Sequence, residues 1–279
     1  MWFIYALLSA LFMSSYALLM RKSLKDKGDP IVFALLLNFI ITFLLLVTIP
    51  FENMTYSFTN SNSIVLVLTI IGTAIVAILF TKGRRLEEAS NVSIGAQVGR
   101  IWSLVGAALI LGEPITTYKM IGVGLVILGN ILISWKGQKL KLTRGMLFVI
   151  SGSLLFATVN FGDKYLLRTF STGFYNFLLY SFSSIILLAF IRFDFKKIKK
   201  EMKLHGPIVF LIGTFFTLGM YFFQLALKFG EVSRVVPVHS SSMIFTILAG
   251  IILLKERDDL IKKLIAGAIV FAGVYLLII

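Results

Sequence analysis

Apolar runs of about 17 to 22 residues alternate with short polar breaks along the whole chain, each long enough to cross roughly 30 Å of hydrocarbon at 1.5 Å per residue. Ten such runs are expected as helices, at approximately 2–20, 31–49, 63–81, 89–111, 118–135, 145–162, 174–191, 207–226, 232–254 and 263–279. They lack the two-residue alternation of barrel strands, and in lipid only helices or closed barrels satisfy every backbone polar group. The pattern predicts an all-α integral membrane protein with ten transmembrane helices. Between spans 7 and 8, Phe195, Ile198 and Met202 recur at three- and four-residue spacing among lysines, as in a short interfacial helix or a solvated basic loop.

The polar and apolar pattern also repeats. EASNVSIGAQVGRIWSLVGAALILGE, from Glu88 to Glu113, returns 143 residues later as EVSRVVPVHSSSMIFTILAGIILLKE, from Glu231 to Glu256. At that offset Ser90 meets Ser233, Val92 meets Val235, Lys119 meets Lys262 and Gly124 meets Gly267, without a gap. Two copies of one half, 1–138 and 143–279, fill the chain. Five spans per copy is an odd number, so the second copy enters the membrane from the opposite side and the halves are inverted.

Composition supports the membrane reading: 58% of residues are hydrophobic and 14% charged, with a mean hydropathy of +0.95, outside the range of soluble domains. The first span lacks a preceding basic region and a small-residue cleavage site, so it is expected to be retained as a helix. Without cysteine, disulfides, thiolate metal sites and cysteine nucleophiles are excluded. The net charge of +14 is assigned to loops facing an anionic leaflet, and no nucleic acid partner is expected.

Of the 27 lysines and arginines, 21 fall after spans 1, 3, 5, 7 and 9, five lie on the opposite side, and Arg100 remains within span 4. Residues 50–62 hold no basic residue whereas their repeat partner, 192–206, holds six. Inverted halves require this antisymmetry. Because basic loops mark the cytoplasmic side, the count places both termini outside the cytoplasm.

Each half ends its fourth span on Leu111-Gly112-Glu113-Pro114 or Leu254-Lys255-Glu256-Arg257 and continues into a glycine-spaced fifth span, with Gly122, Gly124 and Gly129 or Gly267 and Gly273. Over nearly its whole length the chain resembles the drug/metabolite transporter superfamily, and each half resembles an EamA repeat. The resemblance implies a secondary carrier of small metabolites, often amino acids, with a cavity between the halves lined by helices 1, 3, 4, 6, 8 and 9. This chain departs from the family in two ways. Many members keep both termini in the cytoplasm, and the proline often found in span 4 occurs only in the second copy, as Pro237. The small multidrug carriers of the superfamily depend on a glutamate in their first helix, where this chain reads Leu11-Phe12-Met13-Ser14-Ser15. Export of lipophilic cations is disfavoured accordingly.

Arg100 sits near the middle of span 4, where insertion scales put an arginine at about 2.5 to 3.5 kcal/mol, so it cannot face lipid. It is a candidate for binding a carboxylate or phosphate through its planar fork of donors, in competition with an internal partner. Its repeat mate is Met243, so the charge belongs to one copy only. His239, followed by Ser240, lies just after Pro237, which disrupts helical bonding; it is read as a ligand or proton carrier, against a hydrogen-bonded structural histidine. Gln97, three residues before Arg100, joins Gln224 as a candidate cavity amide, and Tyr16 as a lining ring. Asn38, Asn130, Asn160 and Asn176 are read as packing residues. Glu113 and Glu256 are read as structural acids bonded within their turns, and Asp163 as a residue of a helix end.

Three classes stay open. The first is a secondary transporter of an anionic or zwitterionic solute in the lipid bilayer, driven by a coupling ion or counter-substrate. The others are a membrane-embedded enzyme and a non-transporting sensor or scaffold. The histidines are only His205 and His239, so no metal cluster is expected, nor any cofactor, and no phosphate-binding glycine loop occurs. A single copy contains both halves, and no oligomer is required. The charge count predicts that a reporter fused after Ile279 is active only outside the cytoplasm; activity confined to the cytoplasm overturns that orientation.

Overall fold

The computed structural model describes residues 1–23, 28–135, 137, 141–246 and 259–279. Among these, every regular element is helical: α1 (Trp2–Ser23), α2 (Pro30–Thr48), α3 (Asn60–Leu86), α4 (Ala89–Gly95), α5 (Gln97–Leu111), α6 (Thr117–Ser134), α7 (Arg144–Leu166), α8 (Thr172–Phe190), α9 (Phe195–His205), α10 (Ile208–Phe229), α11 (Val232–His239) and α12 (Leu260–Ile278). Among the described residues nine stretches are long and apolar enough to cross a membrane, with α4 and α5 together making one of them. The ninth expected span, 232–254, is described only to residue 246, and the Leu254-Lys255-Glu256-Arg257 motif lies outside the described residues.

The helices start where short polar side chains replace missing backbone partners. Asp29 accepts from the Ile31 amide ahead of α2, where Pro30 takes the first position. Thr59, Thr116 and Thr143 each accept from the amide three residues on, opening α3, α6 and α7. The basic stretch after α8 forms the helix α9, with Ile198, Glu201 and His205 buried and Phe195 and Met202 exposed.

The most extensive helix contacts all cross between the halves: α3 with α7, α1 with α10, α6 with α12 and α2 with α8. The 143-residue offset carries α1 onto α7, α2 onto α8, α3 onto α10 and α6 onto α12. It therefore turns the first pair into the second and maps each of the last two onto itself. The fold is an all-helical membrane bundle of two inverted repeats, with nine spans and part of a tenth among the described residues, and its core lies between the repeats. In α6 and α12 a Cβ on Gly122 would meet the Gly273 carbonyl oxygen at 2.9 Å, and one on Gly273 would meet that of Gly122 at 2.7 Å. The two glycines that the repeat shares, Gly124 and Gly267, face open space, so the close approach relies on glycines without a glycine mate.

Glu113 shows how the fourth span closes. Gly112 ends α5 in the left-handed conformation, φ 69°, which glycine adopts without a Cβ penalty. The turn sends the Glu113 carboxylate not into its own loop but to the start of α11, where it accepts from the amides of Val232 (2.7 Å) and Ser233 (3.0 Å) and from the Ser233 hydroxyl (2.5 Å). The expected structural role holds, with partners in the other repeat. Glu52 likewise accepts from the Gly173 amide in the first turn of α8 (2.9 Å) and from the Tyr221 hydroxyl (2.5 Å). Glu201 accepts from the Asp29 amide before α2 (3.0 Å). Outside the membrane-spanning segments, the Thr143 hydroxyl and the Asn91 amide hold the Glu87 carboxyl below the usual range and tie the end of α3 to the start of α7.

Replacing Glu113 by Ala leaves two amides and a hydroxyl without their acceptor and is expected to cost about 2 kcal/mol. Glu88, exposed at the equivalent start of α4, provides the control, since Glu88→Ala should move the melting temperature little. Thermal unfolding in detergent compares the two.

Candidate functional site

Span 4 and the described part of span 9 are both broken at nearly the same point of the repeat. α4 stops at Gly95 and α5 restarts at Gln97, around Ala96 at φ −67°, ψ −15°. α11 stops at His239, Ser240 and Ser241 form a turn, and residues 242–246 are helical again. The second break lies three residues after Pro237, which sits within α11 and lacks the amide proton that would bond the Ser233 carbonyl. The first has no proline and was not foreseen.

Each break frees a carbonyl, and the same register position answers it. The Gln97 side-chain amide donates to the Ser93 carbonyl (2.7 Å), and the Ser240 hydroxyl donates to the Pro237 carbonyl (2.6 Å). Gln97 and Ser240 are mates at the 143-residue offset. Their difference, which the sequence presents as divergence, hides a common structural task. The two breaks also approach one another: the Ser93 hydroxyl lies 3.6 Å from Met243 Sδ and 2.8 Å from the Ser134 hydroxyl.

Arg100 lies in the first turn of α5, a helix pressed so closely onto α7 that a Cβ on Gly99 would stand 2.5 Å from the Ser153 carbonyl oxygen. Its Nη1 is sealed from solvent and has no hydrogen-bond partner among the described residues. A buried guanidinium nitrogen without an acceptor is costly, and such groups are rare in folded proteins. The internal acidic partner allowed for Nη1 is not among the described residues.

His239 ends α11, in the repeat opposite the one that carries Arg100. Its Nδ1 is 2.8 Å from the Ser9 hydroxyl oxygen, which is also 2.7 Å from the Gly219 carbonyl oxygen. A carbonyl only accepts, so the single Ser9 proton goes to Gly219 and His239 Nδ1–H must donate to Ser9. In the neutral ring this fixes the proton on Nδ1 and leaves Nε2 as an acceptor. The ring packs against Phe223, with centroids 4.4 Å apart, and Phe223 stacks in turn on Phe156 of α7. The hydrogen-bonded, structural reading of His239 is met at Nδ1.

The other expected site residues separate. Gln224 is fully buried and turns to Asp163, with Nε2 3.4 Å from Oδ2 and Oε1 unpartnered. Tyr16 stacks on Phe216 at 5.0 Å. Being seven residues beyond Ser9, it shares the same face of α1 about 10 Å nearer the basic end. Asn38 bridges to Ser183, and Asn176 bonds its own Thr172 carbonyl. Asn130 and Asn160, expected as packing hydrogen-bonders, are fully buried, and neither side-chain atom of either has a partner among the described residues.

Two residues were missed. Asp163 is not a peripheral helix-end acid: it is 2% exposed and accepts from the Tyr175 hydroxyl at 2.5 Å. Asn160 follows Phe156 by one turn, on the face of α7 that meets Phe223. The signal that singled out Arg100, a polar residue opposite an apolar mate, applies to both, since the offset pairs Asp163 with Met20 and Asn160 with Ala17.

An inverted-repeat bundle whose spans are broken at nearly equivalent points, with the two breaks in contact, has the architecture of membrane transporters. The EamA-like transporter family matches residues 1–135 and 143–279. The chain belongs to this family and is a multi-pass membrane transporter. A protein of Archaeoglobus fulgidus described as an uncharacterized transporter is 27% identical over 218 residues, spanning 77% of this chain and 76% of the relative. A crystal structure of another protein, 12% identical, superposes with a TM-score of 0.79 over 100% of this chain and 98% of its own. That likeness concerns the fold alone.

Proposed function

We propose that the chain is a secondary active carrier that moves a small anionic or zwitterionic solute, such as an amino acid, by alternating access between the repeats 1–138 and 143–279. The observation that carries this reading is the buried Arg100 Nη1 of one broken span, without a partner among the described residues, together with a His239 on the other whose Nδ1 is taken by Ser9 and whose Nε2 is left as an acceptor. In this reading Arg100 takes the anionic group of the solute and His239 Nε2 accepts from a neighbouring donor. Gln97 Oε1 and the Asn160 amide, both buried and without partners among the described residues, complete the polar surround in this reading. Ser240 holds the broken backbone beside them, Gln224 joins through the Asp163 network, and Tyr16 lines the approach from the basic end. An ion gradient or exchange for a counter-substrate drives the cycle.

A thermal-shift screen of the purified protein against amino acids, organic acids and sugar phosphates at millimolar concentration tests the site. A ligand at ten times its dissociation constant should raise the melting temperature by about 3 °C. Arg100→Gln is expected to abolish that shift and the flux of the same ligand into reconstituted vesicles, while membrane insertion persists. A shift retained in the variant removes Arg100 from the site.

A further inference from the structure

The two ends of the bundle are made from the same parts in different states. At the end poor in basic residues, Lys119 is 1% exposed and its Nζ lies 2.8 Å from Glu231 Oε2 and 2.7 Å from the Pro114 carbonyl oxygen. Arg234 Nε is 2.9 Å from the same Glu231 oxygen, an ion pair by distance without hydrogen-bond alignment. The start of α11 is packed shut beneath them, with Val232, Ser233 and Val235 buried.

The mates at the basic end are apart. Glu88, the equivalent of Glu231, is exposed and has no partner among the described residues. Lys262, the equivalent of Lys119, turns its Nζ to the Trp135 carbonyl at the end of α6. Ala89 is exposed, and Ser90 and Val92 are half-buried, where their mates Val232, Ser233 and Val235 are buried.

We propose that Lys119–Glu231 and Lys262–Glu88 are two latches that close in alternation, and that this structure is the state latched at the end poor in basic residues. In the opposite state Lys262 leaves the Trp135 carbonyl for Glu88, the start of α4 buries, and Lys119 parts from Glu231. The chemistry couples release to opening. A buried ammonium stripped of its partner is strongly unfavourable, so Lys119 can leave Glu231 only as water reaches it. The proposal rests on the transporter reading for its cycle, but its test measures access rather than flux, so either can fail alone.

Because the chain has no cysteine, single-cysteine variants report without background. V92C and V235C occupy equivalent positions at the two ends, and neither residue is part of a latch. With a membrane-impermeant maleimide, V92C should label readily and V235C slowly. Glu231→Gln, which removes a charge-assisted hydrogen bond, should speed labelling of V235C on the order of tenfold and slow that of V92C. Adding Lys262→Met removes the opposing latch and should return both rates toward their starting values. The proposal is overturned if Glu231→Gln leaves both rates unchanged or raises both together. It is equally overturned if V235C stays fast once Lys262→Met is added, since that marks a loosened end rather than an exchange of states.

Discussion

In this bundle, carboxylates of one repeat end on backbone amides that begin, or just precede, helices of the other. Glu52 reaches α8, Glu201 reaches the approach to α2 and Glu113 reaches α11. Lipid tails are as apolar as leucine, so the hydrophobic effect does little to choose how membrane helices meet. Directional bonds must do much of that work. A carboxylate at a helix N-terminus meets unpaired amides and the favourable end of the helix dipole together. Sited where the two halves face each other, these bonds hold the inverted relation at the ends of the bundle rather than at its middle.

The middle is organised by the broken helices. Breaking span 4 at Ala96 and span 9 at Ser240–Ser241 brings backbone that would otherwise be sealed in a helix to the interface of the repeats. Gln97 and Ser240 then restore the carbonyls so freed. Arg100 Nη1, Gln97 Oε1 and the Asn160 amide are among the buried side-chain atoms left without a partner among the described residues. Symmetry therefore builds the scaffold, and departures from it supply the buried polar groups on which the proposed site rests.

Most of the fold was legible in the sequence because membrane burial writes itself in runs of apolar residues, and duplication writes itself in a constant offset. Nine of the ten spans correspond to described helices, and the tenth is described in part. The break at Ala96 was hidden because no proline marks it. The partners of Glu113 were hidden for another reason, as a carboxylate at a helix end looks unfavourable until the helix beginning opposite it is known. Among the candidate residues, Arg100 stood out through its cost in the membrane. Asp163 did not, because nearness to a span end looks like exposure, whereas α8 and α10 cover it with Tyr175 and Gln224.

The central claim is that the two ends open reciprocally around one polar site. Spin labels at Leu86 and Ile261 span the basic end, and labels at their repeat mates, Phe229 and Tyr118, span the other; all four residues are exposed. Pulsed-resonance distances without solute should be dominated by the open separation for the first pair and the closed separation for the second. With saturating solute, each pair should gain the other's distance in matching proportion. Two pairs that lengthen together, or that do not change at all, would contradict the account.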